Sequence, residues 1–147
     1  MKILVIQGAN MNWLGIRQPE VYGTTTAAEV DEQIREYARE KDFDVEIFYS
    51  NSEGETIDKV YDAHRKDVDA IVMNPGGFTA HGYALRDALL GIKVPVVEVH
   101  LTNHYARGIH SVLASAARGI IMGLGVRGYI LGLDAALHLA GRSGRSQ

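Results

Sequence analysis

An arginine and a tyrosine lie close together in a long loop-like segment near the start of the chain, residues 7–23. Long connections inside compact domains are often lids or binding loops. If this segment closes on itself, Arg17 comes beside Tyr22, and a neighbouring cation stabilises a phenolate and lowers the pKa of the tyrosine. A tyrosinate near neutral pH can act as a base toward a carbon acid. The alternative is that Tyr22 packs on the loop while Arg17 is solvated, and the loop taken alone favours it.

A glutamate and a histidine stand two residues apart at the end of a later apolar run, as Glu98 and His100. In an extended segment their side chains lie on the same side. A carboxylate that orients and charges an imidazole makes a general acid poised near neutral pH. Leu101 and Thr102 follow, with backbone N–H groups and a hydroxyl for an anion. A single histidine after a strand is more often structural, but three polar segments at three strand ends shift that balance.

The remaining polar segment begins at Asn74, which directly follows an apolar run and precedes the turn Pro75-Gly76-Gly77. The asparagine side chain and free backbone N–H groups of the turn could hold a carboxylate. An asparagine that only ends a strand is an equally good explanation of this segment by itself.

These polar segments follow short runs rich in β-branched residues, which predict strands buried on both faces of a parallel sheet. The runs cover residues 3–6, 45–49, 70–73, 94–99 and 119–123. Apolar periodicity between them predicts helices over residues 26–41, 56–66, 82–90, 109–117 and 128–139. Strands that alternate with helices imply βαβ units. The sequence therefore predicts a flavodoxin-like α/β fold, a five-stranded parallel sheet with helices on both faces, whose site lies at the carboxyl ends of the strands.

Length and composition predict one domain over residues 1–147, with about 141–147 as a flexible tail. Apolar residues make up 46% and charged residues 22%, as in ordinary globular proteins. The net charge of −3 gives no electrostatic reason to expect nucleic acid or an anionic membrane as a partner. The absence of cysteine excludes disulfides and thiolate metal sites. The apolar run near Met1 is too short for a secretion signal or a membrane span, so we expect a cytoplasmic protein.

Five segments carry these polar residues in a fixed order. They read IQGANMNWLG followed by R, P and VYG, then SNSEGETID, IVMNPGGFTAHGYALRDAL, VPVVEVHLTNHYAR and GLGVRGYILGL. In this order and spacing they resemble the type II 3-dehydroquinate dehydratases over nearly the whole chain. The resemblance implies a flavodoxin-like fold, a homo-oligomer of four trimers, and a hydro-lyase that needs no cofactor and no metal. The implied reaction is the anti elimination of water from 3-dehydroquinate through an enolate, which gives 3-dehydroshikimate in the shikimate or quinate pathway.

The resemblance assigns the proton abstraction to the first loop. Tyr22 matches the tyrosinate that removes the C2 proton, and Arg17 matches the arginine that lowers its pKa on a mobile lid. Asn10 matches a residue that helps to hold a water against the enolate oxygen. Arg107 matches an arginine near the catalytic tyrosine.

The resemblance assigns the departure of water and the binding of substrate to the later segments. His100 would protonate the leaving C1 hydroxyl, with Glu98 behind it. Asp87 would reach the active site of a neighbouring subunit. The substrate carboxylate would be bound by Asn74, by the N–H groups of Leu101 and Thr102, and by the Thr102 hydroxyl.

The chain departs from the family pattern where the ring hydroxyls at C4 and C5 are bound. The family histidine in NPGAFTHTS falls on Ala80, and the neighbouring His81 has a different direction. After Arg107 the chain is shorter than the family pattern E-x-F-R-x-H-S and lacks its second arginine. Such a contact to a neutral hydroxyl is worth roughly ten- to hundred-fold in affinity. A smaller departure puts Ala9 where the family usually has proline.

Three hypotheses follow. The first is a 3-dehydroquinate dehydratase with a divergent site, in which His81 or His110 compensates by binding substrate. The second is a sibling lyase that acts on a related cyclic hydroxy-keto acid. The third, a non-catalytic oligomer or binding protein, is disfavoured, because a scaffold released from catalysis has no physical need for the set Arg17, Tyr22, His100 and Arg107. The first two hypotheses stay open on the sequence.

Overall fold

The computed structural model describes residues 1–143, and side-chain surroundings through residue 141. Its centre is a parallel sheet of five strands in the order β2-β1-β3-β4-β5. The strands are β1 (Lys2–Ala9), β2 (Asp44–Tyr49), β3 (Ala70–Gly76), β4 (Val96–His100) and β5 (Gly119–Met122). All four pairings are parallel. The predicted flavodoxin-like α/β architecture is confirmed.

Five α-helices connect and cover the strands. They are α1 (Pro19–Tyr22), α2 (Ala27–Lys41), α3 (Glu53–Arg65), α4 (Tyr83–Leu90) and α5 (Arg127–Ser143). The two longer helices of the first half begin at side-chain caps, since the Thr26 hydroxyl accepts the Glu29 N–H at 3.1 Å and the Ser52 hydroxyl accepts the Glu55 N–H at 3.2 Å. Within residues 1–143, no helix has both the length and the apolar character that a bilayer crossing requires.

The core has two layers, one on each face of the sheet. Alternate residues of β1 serve both: Ile3 and Val5 pack with α2 and α5, whereas Leu4 and Ile6 pack with α3 and α4. Each of these four side chains is buried. Because the central strands are covered on both faces, they read as continuous apolar runs without alternation.

The helix predicted over residues 109–117 is wrong. This segment is irregular and contains only a short 3₁₀ turn, Ala114–Ala116. Its backbone and side chains are used in tertiary bonds: the Val112 N–H donates to the Thr79 carbonyl, and the Ser111 hydroxyl accepts the Leu113 N–H. Serine side chains that bond to nearby backbone compete with a helical ladder.

Two other boundaries differ from the sequence prediction. The short helix Pro19–Tyr22 inside the first loop was not predicted, although proline is favourable in the first turn. The tail was predicted from about residue 141, but α5 continues through Ser143. The remainder of the predicted tail lies outside the described residues.

Candidate active site

A cavity of about 200 Å³ opens at the carboxyl ends of β1, β3 and β4, where the sequence placed the chemistry. The residues on its wall that bear on function are Arg17, Tyr22, Ala80, His104, Arg107 and Ile109. A larger groove of about 600 Å³ runs between α2 and α5, lined by Tyr37, Arg127 and Asp134 among others. It contains none of the residues singled out above, so we take the smaller cavity as the candidate site.

Tyr22 lies between two arginines at the mouth of this cavity. The guanidinium carbon of Arg17 is 5.0 Å from the centre of the phenol ring, and that of Arg107 is 5.5 Å from it. Arg107 also donates from Nη1 to the Tyr22 hydroxyl at 3.4 Å and from Nη2 to Thr102 Oγ1 at 3.1 Å. Two guanidinium groups therefore lie beside one phenol ring. The loop therefore does bring Arg17 to Tyr22, and a third residue, Arg107, reaches them from the segment after β4.

The loop that carries Tyr22 is shaped by residues with left-handed backbone. Asn10 has φ 73° and Gln18 has φ 38°, and Gln18 is followed by Pro19 in the first turn of α1. The Asn10 N–H donates to Asn51 Oδ1 at 2.8 Å, which ties the start of the loop to the end of β2. The Asn10 residue itself is exposed. These turns bring α1, and with it Tyr22, back over the end of the sheet.

Glu98 and His100 form a buried charged pair in β4. Glu98 Oε2 lies 3.0 Å from His100 Nε2, and the residues are 2% and 6% exposed. Neither atom has an aligned hydrogen-bond partner. We therefore describe the pair as a close charge contact, which is attractive when the imidazole is protonated. Glu98 Oε1 accepts a hydrogen bond from Ser111 Oγ at 2.8 Å. The prediction that these two side chains share one side of the strand is confirmed.

His104 is a buried residue of the site that the sequence reasoning missed. It is 2% exposed, lines the cavity, and its ring centre is 4.1 Å from that of His100. Its Nδ1 lies 2.7 Å from the Ile109 carbonyl oxygen. Burial is the main cause that lowers the pKa of His104, although the bond to Ile109 opposes it. The available signal was the spacing His100-x-x-x-His104, which the sequence argument overlooked.

That spacing is not part of a metal site here. Within residues 1–141, no group of three or more histidine, cysteine, aspartate or glutamate side chains is placed to hold a metal ion. His104 begins a 3₁₀ turn, His104–Arg107, and His100 ends a strand, so the bend between them brings the two rings into contact.

The Asn74 side chain is buried and already has two partners. Its Oδ1 accepts the Gly76 N–H at 3.1 Å, and its Nδ2 donates to the Tyr129 hydroxyl at 2.9 Å. Tyr129 in turn donates to Gln7 Oε1 at 2.7 Å. A primary amide carries two N–H donors. The bond to Tyr129 uses one of them and holds Asn74 in the core.

Three further residues of interest lie outside the cavity. His81 is exposed and does not line it. His110 is exposed and packs edge-on against Tyr105, with ring centres 4.6 Å apart. Asp87 is on α4, where its carboxylate accepts two bonds from the adjacent Arg86 at 3.2 and 3.0 Å. Within one chain, the structure does not bring any of these three to Tyr22.

Ala9, which stands where the family usually has proline, is in direct contact with Gly77, whose N–H donates to the Ala9 carbonyl at 2.8 Å. A β carbon placed on Gly77 would lie 2.9 Å from that of Ala9, which is closer than real side chains allow. Beside them, Gly8 has no room for any side chain, because a β carbon would overlap the Pro75 carbonyl oxygen. The ends of β1 and β3 therefore approach so closely that residues 8 and 77 must be glycine in this backbone.

Comparison with known proteins gives a consistent answer over the full chain. The family model described as dehydroquinase class II matches residues 1–137. The 3-dehydroquinate dehydratase of Thioalkalivibrio sulfidiphilus is 48% identical over 141 residues, which cover 94% of this chain and 96% of that one. The 3-dehydroquinate dehydratase of Desulforudis audaxviator is 46% identical over 150 residues, which cover 100% and 99%.

Solved structures agree with these sequence matches. The type II dehydroquinase of Butyrivibrio crossotus superposes with a TM-score of 0.89 at 41% identity, covering 93% of this chain and 97% of that one. The type II dehydroquinase of Propionibacterium acnes gives 0.87 at 36% identity, covering 95% and 96%. From its sequence and its fold, this chain belongs to the class II dehydroquinase family.

Proposed function

We propose that the protein is a 3-dehydroquinate dehydratase, a hydro-lyase that removes water from 3-dehydroquinate to give 3-dehydroshikimate. Membership of the class II dehydroquinase family and relatives named for this activity at 48% identity support the substrate. The observation that carries the proposal is the Tyr22 phenol between Arg17 and Arg107, at a cavity lined also by His104, whose ring contacts His100 of the Glu98–His100 pair.

The Tyr22 side would supply the base. As a phenolate, Tyr22 removes the C2 proton of the substrate, and Arg17 and Arg107 stabilise its negative charge before the proton arrives. The electrons of the broken C–H bond move toward the ketone and form an enolate, which Asn10 stabilises through a bound water. A desolvated base and a donor for the developing oxyanion are what an enolate intermediate requires.

The β4 side would supply the acid. When the enolate collapses, the C1–O bond breaks and His100 gives its proton to the leaving hydroxyl, which departs as water. Glu98 orients the His100 ring and balances its positive charge. We further propose that the substrate carboxylate is held by Asn74, by the N–H groups of Leu101 and Thr102, and by the Thr102 hydroxyl.

The assembly and cell compartment are proposals of the same kind. Asp87 is exposed on α4, as a residue must be to reach the site of a neighbouring subunit, and this supports a homo-trimer as the working unit of a dodecamer. Family membership supports a reaction without a cofactor, and we propose a cytoplasmic location.

A second candidate is a sibling hydro-lyase that acts on a related cyclic hydroxy-keto acid. It is favoured by the cavity wall itself, where Ala80 and Ile109 present apolar groups on the side where the family pattern has hydroxyl-binding residues. An apolar wall accepts a substrate that lacks a hydroxyl more readily than a polar one.

The test is to add 3-dehydroquinate to the purified protein and to follow the ultraviolet absorbance of the conjugated enone product. We expect turnover that falls by about three orders of magnitude in Tyr22→Phe, since general acid–base catalysis contributes on this scale. Tyr61→Phe removes a phenol hydroxyl from the exposed face of α3 and serves as the matched control. A folded wild-type protein without turnover would exclude the named substrate, and analogues lacking one ring hydroxyl would then test the sibling lyase.

A further inference from the structure

Every buried side-chain polar atom without a hydrogen-bond partner in residues 1–141 belongs to one cluster. The three atoms are Glu98 Oε2, His100 Nε2 and His104 Nε2. Buried polar groups are nearly always paired, so an unpaired one needs an explanation such as a catalytic role. Glu98 and His100 have one in the proposed elimination. His104 has none, although it lies in direct contact with the acid.

His104 is held in a single orientation. A carbonyl oxygen can only accept, so the 2.7 Å contact with the Ile109 carbonyl places the ring proton on Nδ1 of His104. The ring is 2% exposed and meets the His100 ring at 4.1 Å with an angle of 58° between the planes. A buried ring that is bonded at one edge and packed at one face restricts the rotation of the ring that it touches.

His104 does not compete with His100 for the negative charge of Glu98. Burial is the main cause that lowers the pKa of His104; among the charged groups, Glu98 opposes this shift and His100 and Arg107 add to it, so the neutral ring is favoured. The Glu98 carboxylate therefore balances the positive charge of one imidazolium, that of His100, rather than two. A proton relay through His104 is excluded, because its Nδ1 proton faces a carbonyl that cannot take it.

The shortened segment after Arg107 supports both members of this cluster. The Ile109 carbonyl binds His104, and two residues later the Ser111 hydroxyl donates to Glu98 Oε1 at 2.8 Å. The segment that lacks the family's second arginine is thus used to support the acid from two sides.

We propose that His104 is a positioning residue for His100: its ring, fixed by the Ile109 carbonyl, holds the His100 imidazole against Glu98 in the orientation that protonates the leaving hydroxyl. The inference rests on the proposed function and adds to it a residue that acts through the acid alone. Such a residue affects the loss of water and leaves the removal of the C2 proton unchanged.

The experiment compares these two steps in His104→Phe, which keeps a ring of similar shape without its nitrogens. In D₂O, NMR follows exchange of the C2 proton while absorbance follows product. We expect kcat for water loss to fall on the order of 10- to 100-fold, the effect of a small misplacement of a catalytic group, with KM and C2 exchange nearly unchanged. His110→Phe, in the same segment but outside the cavity, is the matched control and should behave as wild type.

A double variant asks whether the effect passes through His100. If it does, His104→Phe adds little to the defect of His100→Asn, because residues that act as one unit are not additive. The inference would be overturned by additive losses in the double variant or by equal losses of C2 exchange and water elimination in His104→Phe. It would also be overturned by a normal kcat in His104→Phe or by the same defect in His110→Phe.

Two measurements keep the inference testable if a variant or the substrate fails. His104→Asn keeps a donor for the Ile109 carbonyl but removes the ring, and it should show the same selective loss if His104→Phe does not fold. If wild type does not act on 3-dehydroquinate, the proposed function fails by itself. A crystal structure of either folded variant then decides: a His100 ring turned away from Glu98 supports the inference, and an unmoved ring contradicts it.

Discussion

The two walls of the cavity are built in different ways. On one wall, Tyr22 comes from a loop helix of one turn and contacts Arg107 at 3.4 Å, while the Arg17 guanidinium is 5.0 Å from its ring. Tyr22 and Arg17 are half-buried and Arg107 is exposed. Behind the other wall, which His104 lines, Glu98 and His100 come from a central strand and are almost completely buried.

The difference separates a wall that must close from a wall that is already formed. Long contacts between exposed side chains on a loop are easily rearranged, and loops of this kind complete a site when a ligand arrives. Side chains on a strand are held by packing and by neighbours such as Ser111. We therefore expect changes to the acid wall to act on kcat and on stability, and changes to the base wall to act on activity alone.

Among the substitutions that test the difference between the two walls, Glu98→Gln is expected to have the largest effect. The amide keeps an acceptor for Ser111 but removes the negative charge that lies 3.0 Å from His100 Nε2. We expect kcat to fall by about 10²-fold, within the usual contribution of a general acid. Steady-state kinetics measures it, and circular dichroism verifies the fold. A kcat close to that of wild type would show that the acid does not depend on its carboxylate.

A smaller effect is expected from Arg107→Met on the base wall. This change removes one of the two cations at Tyr22 and the bond to Thr102, while the methionine keeps part of the side-chain length. We expect kcat/KM to fall by about 10-fold, as for the loss of a charge-assisted hydrogen bond. Thermal unfolding should be unchanged, because Arg107 is exposed. A clear loss of stability would contradict the distinction between the two walls.

The smallest effect is expected in the pH dependence of stability, and it concerns His104. Burial lowers its pKa in the folded state, so the unfolded chain takes up a proton at higher pH than the folded one. The contribution to stability is complete above the ordinary histidine pKa of about 6.5 and is lost as the pH falls through the lower folded-state pKa. Urea unfolding at a series of pH values and constant protein concentration measures this decline.

The matched protein for that measurement is His104→Phe, which has no group to titrate at this position. Its free energy of unfolding should decline less than that of wild type as the pH falls below about 6.5. Parallel curves for the two proteins would mean that His104 is not buried in its neutral form.

Most of the fold could be predicted from the sequence, because its strands are covered on both faces. Burial of Ile3 and Val5 on one side and of Leu4 and Ile6 on the other requires an apolar residue at every position. Residues 109–117 could not be assigned in this way. Their periodicity is helical, but their hydrogen bonds go to Thr79 and Glu98, which are distant along the chain.

The candidate site divides along the same line. Residues in the carboxyl-terminal part of a strand, such as Asn74 in β3 and His100 at the end of β4, were located by the rule for parallel sheets and by their chemical types. Arg107 and Tyr22 are 85 residues apart in the sequence. Their contact forms only because the loop after β1 closes over the segment that follows β4, and the sequence alone does not show this. From the sequence, His81 and His110 were candidates to compensate for the lost histidine, but neither lines the cavity.

The sequence by itself determined the parallel α/β sheet, the family pattern and the types of group that end each strand. Burial and direction were decided only by the tertiary structure. His104 looks like any loop histidine until the Ile109 carbonyl binds its Nδ1 and the His100 ring packs on its face. The physical reason is that burial and ring orientation depend on groups that are distant along the chain and that only packing brings together.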